Sequence, residues 1–318
     1  MLVYALDIGG SSVKHGLVEI GRDEATLIRS PSSTVLPSND FSDLRTLVFE
    51  AIRSTLSSRP NVHAIGISTT GSLDVEGTVV SAGHFNGYKD VSWAKLIKPE
   101  FTQIRQVVTV NDGRASAWAE YSADPIRGKS HIHAVVGTGV GGGVVHNGEL
   151  VMGDSGQAGY IGHIKVTPNR TGKCSCGSYG CVEALAAAPA IVRHFNERSE
   201  VSVDSGPGAF DVVTRKAQSG DPHAVAAFET AGYWLGVGLG NAMNVLNPAV
   251  VSVGGGVVLA SQSIDQKDDG GPFMRSVGDG VAYAAHRRVC SSADLRTARF
   301  ANDGGMIGAA RLAGRLSE

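Results

Sequence analysis

Two segments of this sequence share one plan, in which an apolar run is followed by a turn rich in glycine and a second apolar run. The first is VYALDIGGSSVKHGLVEI at residues 3–20, and the second is IHAVVGTGVGGGVVHNGEL at residues 132–150. Each is typical of two strands joined by a tight turn, because glycine adopts backbone conformations that other residues avoid. A plan repeated in both halves predicts two domains of similar design, and 318 residues are enough for two cores.

Strands and helices alternate between and after these segments. VHAIGISTTGSLD and IRQVVTV have the apolar character of strands, and GRASAWAEYSA is predicted to be the helix that follows the latter. In the second half, DPHAVAAFETAGYWLGVGLGNAMNVL predicts one or two helices, AVVSV a buried strand, and SQSIDQKDDGGP an exposed loop. This alternation predicts an α/β fold, with the hairpins adding antiparallel strands to the sheets.

The charge and hydropathy of the chain argue against two classes of partner. A net charge of −2 provides no field that attracts nucleic acid or an anionic membrane, and the sequence has no local basic patch. No apolar stretch approaches the roughly 20 residues that cross a bilayer, and the start MLVYALDIGG lacks the basic region and cleavage site of a secretory signal. We therefore expect a cytoplasmic protein with no nucleic-acid or membrane partner.

Three of the four cysteines follow one histidine within a short stretch, at His163, Cys174, Cys176 and Cys181. In a reducing compartment, thiolates at this spacing are more typical of a metal centre than of disulfides, and zinc takes a tetrahedral set of Cys and His ligands. Four protein ligands leave no open position, so a structural zinc site is predicted. Buried free thiols beside a core histidine are the alternative. Cys290, far from the cluster, is expected to be a plain buried thiol.

The first glycine turn has the features of a phosphate site. Gly9, Gly10, Ser11 and Ser12 offer backbone N–H groups and small hydroxyls without a bulky side chain. Asp7 precedes them and is suited to hold Mg²⁺ directly or through water. For any single turn of this kind, a hairpin that binds nothing is the alternative.

Two more glycine runs strengthen the phosphate interpretation. They are Gly137-Thr138-Gly139, followed by Gly141-Gly142-Gly143, and later Gly254-Gly255-Gly256. ADPIRGKS resembles the end of a Walker loop, but Ala123 stands where its first glycine should be. GTGVGG, in turn, precedes a strand-like segment rather than the helix of a dinucleotide-binding motif. Three glycine runs in one chain, two of them in repeated units, favour a phosphate-binding protein outside these two classes.

A strand and a helix meet at Asn111 and Asp112, in VVTVNDGRASAWAE. One interpretation makes Asp112 the N-cap of the helix. The other makes Asp112 a general base for a hydroxyl and Asn111 a positioning group, as phosphoryl transfer requires. The helix N-terminus is expected to favour the carboxylate, which makes Asp112 a weak base at rest.

Together these motifs resemble one known family. DIGGSSVKHGLV, VNDGRASAWAE, GTGVGGGVVHNGEL, GHI and CSCGSYGCVE are similar to the ROK family of sugar kinases and sugar-responsive repressors, within the actin-like, hexokinase-type superfamily. The resemblance runs from Leu6 to GGMIGAARLA near the end, and the pattern C-x-C-G-x-x-G-C-x-E matches at every fixed position.

The resemblance implies a fold and a division into domains. The fold is α/β, with two actin-like (ribonuclease H-like) domains around a central cleft. The small domain is expected at residues 1–115 plus 301–318, and the large domain, carrying the zinc loop, at residues 116–300. Family members are commonly dimers or tetramers, which implies a homodimer or homotetramer here.

The resemblance also implies roles for individual residues. ATP phosphates would lie on the two glycine hairpins, with Gly254 to Gly256 toward the adenosine, and Asp112 would be the general base. Zinc would be held by the His163 and cysteine set already described. The implied sugar-binding residues are Gly71, His84, Asn111, Asp112, Tyr160, His163 and Glu183.

Two positions depart from the family pattern. The family usually has Glu-x-Gly-His where this chain has Tyr160-Ile161-Gly162-His163, so a phenol replaces a carboxylate that accepts hydrogen bonds from the sugar. His84, in HFNGY, replaces a sugar-contacting asparagine. We expect an altered sugar specificity, because a site built to pair with a hydroxyl loses affinity once the partner is removed. Drift in a glucose-binding protein is the alternative, and glucose, N-acetylmannosamine and allose are not ranked.

The function implied is an ATP-dependent sugar kinase that uses Mg²⁺, a phosphotransferase with an alcohol group as acceptor. A non-catalytic sugar-binding protein of the same family is the alternative. A repressor is disfavoured. Its DNA-binding domain would precede the first strand, and that strand is predicted within a few residues of Met1. The net charge also does not favour contact with DNA.

Overall fold

The computed structural model describes residues 1–21, 25–28, 31–124, 129–267 and 269–315. The first part of the chain forms β1 (Leu2–Ile8), β2 (Ser12–Ile20), β3 (Ala25–Leu27), β4 (Ser32–Val35), α1 (Phe41–Ser58), β5 (Ala64–Thr69), β6 (Ser72–Leu73), β7 (Val79–Ser81), α2 (Trp93–Ile97), β8 (Gln106–Asn111) and α3 (Asp112–Ser122). The second part forms β9 (His131–Val136), β10 (Val140–His146), β11 (Glu149–Leu150), a 3₁₀ turn (Ile161–His163), α4 (Val182–Ala186), α5 (Ala188–Asn196), α6 (Ala209–Gln218), α7 (Pro222–Leu246), β12 (Val250–Gly254), α8 (Gly256–Asp265), α9 (Gly271–Ala284), α10 (Arg287–Ser292), β13 (Asp294–Thr297) and α11 (Gly304–Arg315).

The two predicted halves have sheets of the same order. The first sheet runs β3-β2-β1-β5-β8, with β4 also paired to β2, and the second runs β11-β10-β9-β12-β13. In each, an antiparallel hairpin is followed by two parallel strands: β2-β1-β5-β8 in the first and β10-β9-β12-β13 in the second. The α/β fold and the repeated plan are therefore confirmed.

Strand β1 is apolar because both faces of the first sheet are covered. Tyr4 and Leu6 point to the core that contains α1, whereas Val3 and Ala5 pack with the apolar face of α11. A strand buried on both sides is expected to be apolar at successive positions. Helix α11, from the end of the chain, thus completes the first sheet.

The second sheet has one apolar face and one partly polar face. Ile132 and Ala134 pack in a core with helices α7 and α9. On the other face, Ser252 Oγ lies 2.8 Å from both His131 Nε2 and His133 Nδ1. Burial lowers the pKa of His131 to about 4 and that of His133 to about 3, so both imidazoles are neutral at physiological pH.

Helix α3 contacts both sheets and α11. At its C-terminal end, Glu120 Oε1 accepts hydrogen bonds from the backbone N–H groups of Arg299 (2.8 Å) and Phe300 (2.9 Å). Asp124, just beyond the helix, pairs with Arg296. The expected boundary between residues 115 and 116 falls inside α3, and the division into domains stays a prediction.

Some sequence expectations need adjustment. SQSIDQKDDGGP is not one exposed loop, because Ser261 is buried in α8, where its Oγ accepts from the N–H of Phe273 at 3.0 Å. Asp268 within that segment, residues 125–128 of ADPIRGKS and the last residues 316–318 of the small domain lie outside the described residues. Cys290 is only partly buried. Within the described ranges, no helix combines the length and apolar character needed to span a membrane.

Candidate active site

The ends of three parallel strands bring polar groups to one edge of the first sheet. Asp7 in β1 is the ladder partner of Ser68 in β5, and Ser68 Oγ donates to Asp7 Oδ1 at 2.6 Å. Asn111 ends β8, the next parallel strand, and Asp112 begins α3. Because parallel strands end at the same edge, residues far apart in sequence meet here.

Asp112 binds its proton more tightly than an ordinary aspartate does. Burial, followed by the nearby charge of Asp7, raises the pKa of Asp112 from 3.8 to about 6, against the opposing hydrogen bonds from Gly113 and Asn111. The expectation that the helix N-terminus keeps this carboxyl a weak base is therefore corrected, because desolvation outweighs the helix end. A carboxyl with this pKa can accept a proton near neutral pH.

Asn111, rather than Asp112, is the N-cap of α3. Its Oδ1 accepts from the backbone N–H groups of Gly113 (3.1 Å) and Arg114 (3.3 Å), and its Nδ2 donates to Gly71 O at 3.1 Å. The N-cap interpretation of Asp112 is therefore wrong. An amide nitrogen carries two N–H groups, so Asn111 can donate to Gly71 and also to the Asp112 carboxyl.

Asp7 is surrounded by charges of both signs. Burial raises the pKa of Asp7, and Asp303 adds to the rise, whereas Ser68 and Lys14 oppose it. Lys14 is the cross-strand partner of Asp7 in β2, and its Nζ lies 4.0 Å from Asp303 Oδ1. Sequence reasoning missed Lys14 and Ser68, although the position of Lys14 opposite Asp7 follows from the hairpin itself.

The first glycine turn is short and open. The N–H of Gly9 donates to Ser12 O at 3.0 Å, and Ser11 is exposed. A Cβ placed on Gly10 would lie 3.6 Å from the ring of His84. His84, predicted from its position in HFNGY, therefore lies directly against this turn.

The second glycine turn is supported from outside its own hairpin. Within the turn, the N–H of Gly137 donates to Gly139 O at 2.9 Å. From the segment after the cysteines, the N–H of Ala188 donates to Gly137 O at 2.9 Å, and Glu183 Oε2 accepts from the N–H of Val140 at 3.2 Å. Glu183, implied to be a sugar ligand, thus lies against this turn.

The glycines after the second turn have a packing role. Gly142 and Gly143 lie inside β10, where Gly143 faces the first turns of α3 and the backbone of Gly142 lies against Gly113. A Cβ on Gly143 would lie 2.7 Å from the Cβ of Ala117, and one on Gly113 would collide with the backbone of Gly142. These glycines let α3 approach β10 closely, which their sequence pattern did not distinguish from phosphate binding.

A cavity of about 670 Å³ adjoins the second turn. Thr138 lines one side and Gly256, at the N-terminus of α8, lines another, with Pro189, Val192 and Phe210 contributing apolar surface. Such a cavity suits a flat, largely apolar group such as a nucleobase. Phe210 belongs to a segment, residues 205–211, that sequence reasoning had not connected with any site.

The third glycine run serves two purposes. Gly255 has a φ of +98°, and a Cβ there would collide with the backbone of Val136 in β9. Gly256 has open space around its Cα, where it meets the cavity, and Gly254 ends β12. The strand can therefore turn sharply into α8 beside the second glycine turn.

The predicted metal ligands converge. The donor atoms of His163, Cys174, Cys176 and Cys181 all lie within 4.8 Å of one another. Cys176 Sγ and Cys181 Sγ are 3.8 Å apart, and Cys174 Sγ is 3.4 Å from His163 Nδ1. Sulfur and nitrogen ligands of a tetrahedral zinc ion lie roughly 3.5–3.8 Å apart, given bond lengths of about 2.0–2.3 Å. The donor set therefore fits a zinc ion.

Tyr160 belongs to a hydrogen-bonded group that joins the two parts of the chain. Its hydroxyl donates to Gln157 Oε1 at 2.7 Å, and Ser72 Oγ donates to the same oxygen at 2.5 Å. The ring of Tyr160 lies 5.6 Å from that of His163. The phenol is therefore held in place between the β6 region and His163, one of the predicted metal ligands.

Arg114 holds the segment that carries Tyr160. The side chain is 2% exposed, and it donates to the carbonyl oxygens of Gly156 and, at 3.3 Å, Ala158. Its guanidinium lies 6.0 Å from the centre of the Tyr160 ring. The first turn of α3 thus positions both Asp112 and, through Arg114, Tyr160. Neither Arg114 nor Gln157 was predicted from the sequence.

Comparison with known proteins agrees with this geometry. The model of the ROK family matches residues 3–315. The glucokinase of Streptomyces coelicolor is 30% identical over 98% of this chain and 97% of its own length, and an N-acetylmannosamine kinase of Escherichia coli is 31% identical over 97% of each. Among solved structures, a ROK family glucokinase from Streptomyces griseus in complex with glucose and AMPPNP is 27% identical, with a TM-score of 0.76 over 99% of this chain and 100% of that one. The chain therefore belongs to the ROK family and has its actin-like α/β fold of two domains around a cleft.

Proposed function

We propose that this protein is an ATP-dependent sugar kinase, which transfers the γ-phosphoryl group of Mg-ATP to a sugar hydroxyl. The observation that carries the proposal is the half-buried Asp112 at the strand edge beside Asp7, whose pKa of about 6 suits a general base. Its relatives include proteins named glucokinase and N-acetylmannosamine kinase. The alternative, a non-catalytic sugar-binding protein, has no comparable support.

The nucleotide is proposed to bind across the two glycine turns. Phosphate oxygens would accept hydrogen bonds from backbone N–H groups at residues 9–12 and at Thr138 and Gly139. The adenosine would enter the cavity beside Thr138, bounded by Gly254 to Gly256. Asp7 is the proposed carboxylate for Mg²⁺, a cation that protein sites bind through one or two carboxylates and substrate phosphates. When bound, Mg²⁺ would neutralise charge that develops on the phosphates.

Asp112 is the proposed catalytic base. In the transfer, the sugar oxygen forms a bond to the γ-phosphorus, the bond from that phosphorus to the β–γ bridging oxygen breaks, and ADP leaves with the electron pair. The hydroxyl proton passes to the Asp112 carboxylate. The Asp112 carboxylate is half-buried, and its position at the start of α3, with a hydrogen bond from the N–H of Gly113, would orient it toward the acceptor.

The sugar is proposed to lie between Asp112 and the Tyr160 group. Gly71, His84, Asn111 and His163 are its other proposed contacts, with Glu183 as a further one implied by the family. The Tyr160 hydroxyl already donates to Gln157, so it offers an acceptor and a ring face rather than a carboxylate. We therefore propose a sugar specificity different from that of family members with a glutamate at this position.

The Cys and His cluster is proposed to bind one structural Zn²⁺. Its ligands would fasten residues 163–181 into the loop that borders the Tyr160 side of the cleft. Four protein ligands leave no position for substrate, so the ion would stabilise the loop rather than act as a Lewis acid. The family resemblance further supports a homodimer or homotetramer, and thiolate ligation of zinc is consistent with a cytoplasmic location.

An ADP-release assay tests the function. Zinc-loaded protein with Mg-ATP would be offered hexoses, amino sugars, N-acetylated sugars and rarer epimers, with Asp112→Asn as the control. We expect ADP release with one sugar class, and release at least about 10²-fold slower from the control. Binding of a sugar by calorimetry with no ADP release from any sugar would favour the non-catalytic alternative.

Tyr160→Glu tests the altered specificity. The carboxylate should increase kcat/KM for common hexoses by roughly 10- to 150-fold, because a charged hydrogen bond to a hydroxyl contributes roughly 1.5–3 kcal/mol. Tyr160→Phe is the matched control, since it keeps the ring and removes only the hydroxyl. Equal hexose kinetics in the native protein and Tyr160→Glu would mean that specificity is set elsewhere.

A further inference from the structure

The segment that follows the last metal ligand supports the second glycine turn at both of its ends. Cys181 precedes α4 directly, and α4 leads into α5. The N–H of Ala188, at the start of α5, donates to Gly137 O at 2.9 Å, and Glu183 in α4 accepts from the N–H of Val140 at 3.2 Å. The position of the turn therefore depends on the chain that the metal ligands anchor.

Glu183 contacts the turn and the cysteine loop with different oxygens. Oε2 faces the turn, and a Cβ on Gly139 would lie only 2.7 Å from it. Oε1 accepts from Ser175 Oγ at 2.5 Å and from the N–H of Ser175 at 3.3 Å, and lies 3.3 Å from Cys174 Sγ. One carboxylate thus bridges the ligand loop and the second glycine turn.

We propose that Glu183 is a positioning residue that couples metal binding at the cysteine cluster to nucleotide binding at the Gly137–Val140 turn. The inference rests on the proposed function, which assigns ATP phosphates to this turn. It differs from the role implied by the family resemblance, in which Glu183 faces the sugar.

The coupling has a simple physical basis. Ser175 lies between the ligands Cys174 and Cys176, so a bound ion holds its N–H and hydroxyl toward Glu183 Oε1. Glu183, fixed in this way, holds the turn in one conformation before ATP arrives. Without the ion, the loop is free to move and ordering the turn opposes nucleotide binding. By thermodynamic linkage, the nucleotide must strengthen metal binding by the same factor.

The test measures binding without turnover. Calorimetry gives the Kd of Mg-AMPPNP for zinc-loaded and metal-depleted full-length protein, with no sugar present, and in parallel the Kd of the sugar substrate. We expect metal removal to weaken AMPPNP binding by about 5–20-fold in the native chain, within the range of typical coupling between sites. In Glu183→Gln and Ser175→Ala, the same removal should change the Kd by less than about twofold.

Matched controls isolate the bridge. Glu197→Gln makes the same chemical change at an exposed position at the end of α5 and should keep the full metal dependence. If metal depletion unfolds the chain, the reciprocal measurement replaces it: zinc affinity against a competing chelator, with and without saturating AMPPNP. The nucleotide should tighten zinc binding in the native chain and in Glu197→Gln, but not in Glu183→Gln.

Three outcomes would overturn the proposal. The first is an equal metal dependence of AMPPNP binding in the native chain, Glu183→Gln and Ser175→Ala. The second is a loss of sugar affinity in Glu183→Gln with unchanged AMPPNP binding, which would assign Glu183 to the sugar. The third is no AMPPNP binding to zinc-loaded native protein, which would reject the proposed nucleotide site itself and the coupling with it.

Discussion

The two glycine turns have the same plan and the same place in their sheets, but their surroundings differ. The first, at residues 9–11, lies beside the acidic strand edge of Asp7 and Asp112, with His84 against it. The second, at residues 137–139, has no acidic strand edge and is bonded instead to the segment after the cysteines. The duplicated fold thus provides two similar glycine turns, and their different neighbours are the basis for proposing a role in chemistry for the first and in nucleotide positioning for the second.

Replacing the acid beside the first turn should have the largest effect. Asp112→Asn should lower kcat by about 10²–10⁴-fold, because the acceptor proton loses its base. Nucleotide and sugar affinity should remain near native values, since Asn is nearly isosteric and keeps an oxygen for the N–H of Gly113. Steady-state kinetics with calorimetry would measure both. Native turnover in this variant would remove Asp112 from the role of base and weaken the contrast between the turns.

Removing the metal tests whether a zinc ion stabilises the part of the chain that supports the second turn. A strong chelator should release one zinc per chain and lower Tm by about 3–6 °C, the shift expected for a loss of roughly 2–4 kcal/mol in a chain of this size. Metal analysis and differential scanning calorimetry check the prediction. Cys176→Ser should reproduce the effect, whereas Cys290→Ser, outside the cluster, should keep full zinc content. A metal-free chain of unchanged Tm would argue against a structural ion.

Two glycine substitutions compare the cost of adding a Cβ at a packed position with the cost at an open position near the second turn. Gly143→Ala should destabilise the protein by about 1–3 kcal/mol, because its Cβ would crowd Ala117 of α3. Gly137→Ala should change stability by less than about 0.5 kcal/mol, because a Cβ there has no neighbour within 4 Å. Urea unfolding gives both values. Equal costs at the two positions would contradict the distinction between turn and packing glycines.

The pH dependence should be the smallest effect near neutrality. kcat/KM should fall about tenfold per pH unit below about 6, because Asp112 must be ionised to accept a proton. The contribution of Asp112 to the free energy of unfolding should instead decrease as pH rises. A carboxyl whose pKa is raised on folding stabilises the fold fully below its ordinary 3.8, and that contribution is lost as pH rises through about 6. Asp112→Asn should therefore melt higher than the native chain at pH 8.

A rate profile from pH 5 to 8, with Tm recorded at each pH to exclude unfolding, measures the first prediction. A flat profile would place the pKa of the catalytic group well below 5 and contradict the effect of burial on Asp112. An Asp112→Asn variant that melts lower than the native chain at pH 8 would contradict the cost of ionising this buried carboxyl.

Local sequence patterns predicted the features that depend on neighbours in the chain. The hairpin around Gly9, the junction at Asp112 and the cysteine spacing each lie within a short segment, so periodicity and ligand chemistry identified them. The family resemblance predicted the fold and the placement of the glycine runs. The alternative that made Asp112 the helix cap proved wrong, because Asn111 and Asp112 are both good capping residues and the pattern does not choose between them.

Features that depend on contacts between distant segments were missed. Ser68 reaches Asp7 only because β5 lies beside β1, and Arg114 reaches Gly156 only through the packing of α3. Gly143 was grouped with the turn glycines, because the sequence does not distinguish a glycine that lets a helix pack closely from one that leaves room for a phosphate. The pKa of Asp112 likewise depends on burial, which the sequence alone does not specify.

Helix α3 is anchored at its C-terminal end, so a small rotation about that end would move its N-terminal end by a larger distance. The 11 residues of α3 span roughly 16 Å and begin at Asp112. Near the other end, the Glu120 carboxylate accepts hydrogen bonds from the backbone N–H groups of Arg299 and Phe300. A tilt of about 10° around the clamped end would displace Asp112 by roughly 2–3 Å over that length, more than a proton transfer tolerates. If Asp112 is the base, its orientation toward the sugar hydroxyl therefore depends partly on the contacts of Glu120 with Arg299 and Phe300, which lie outside the proposed site.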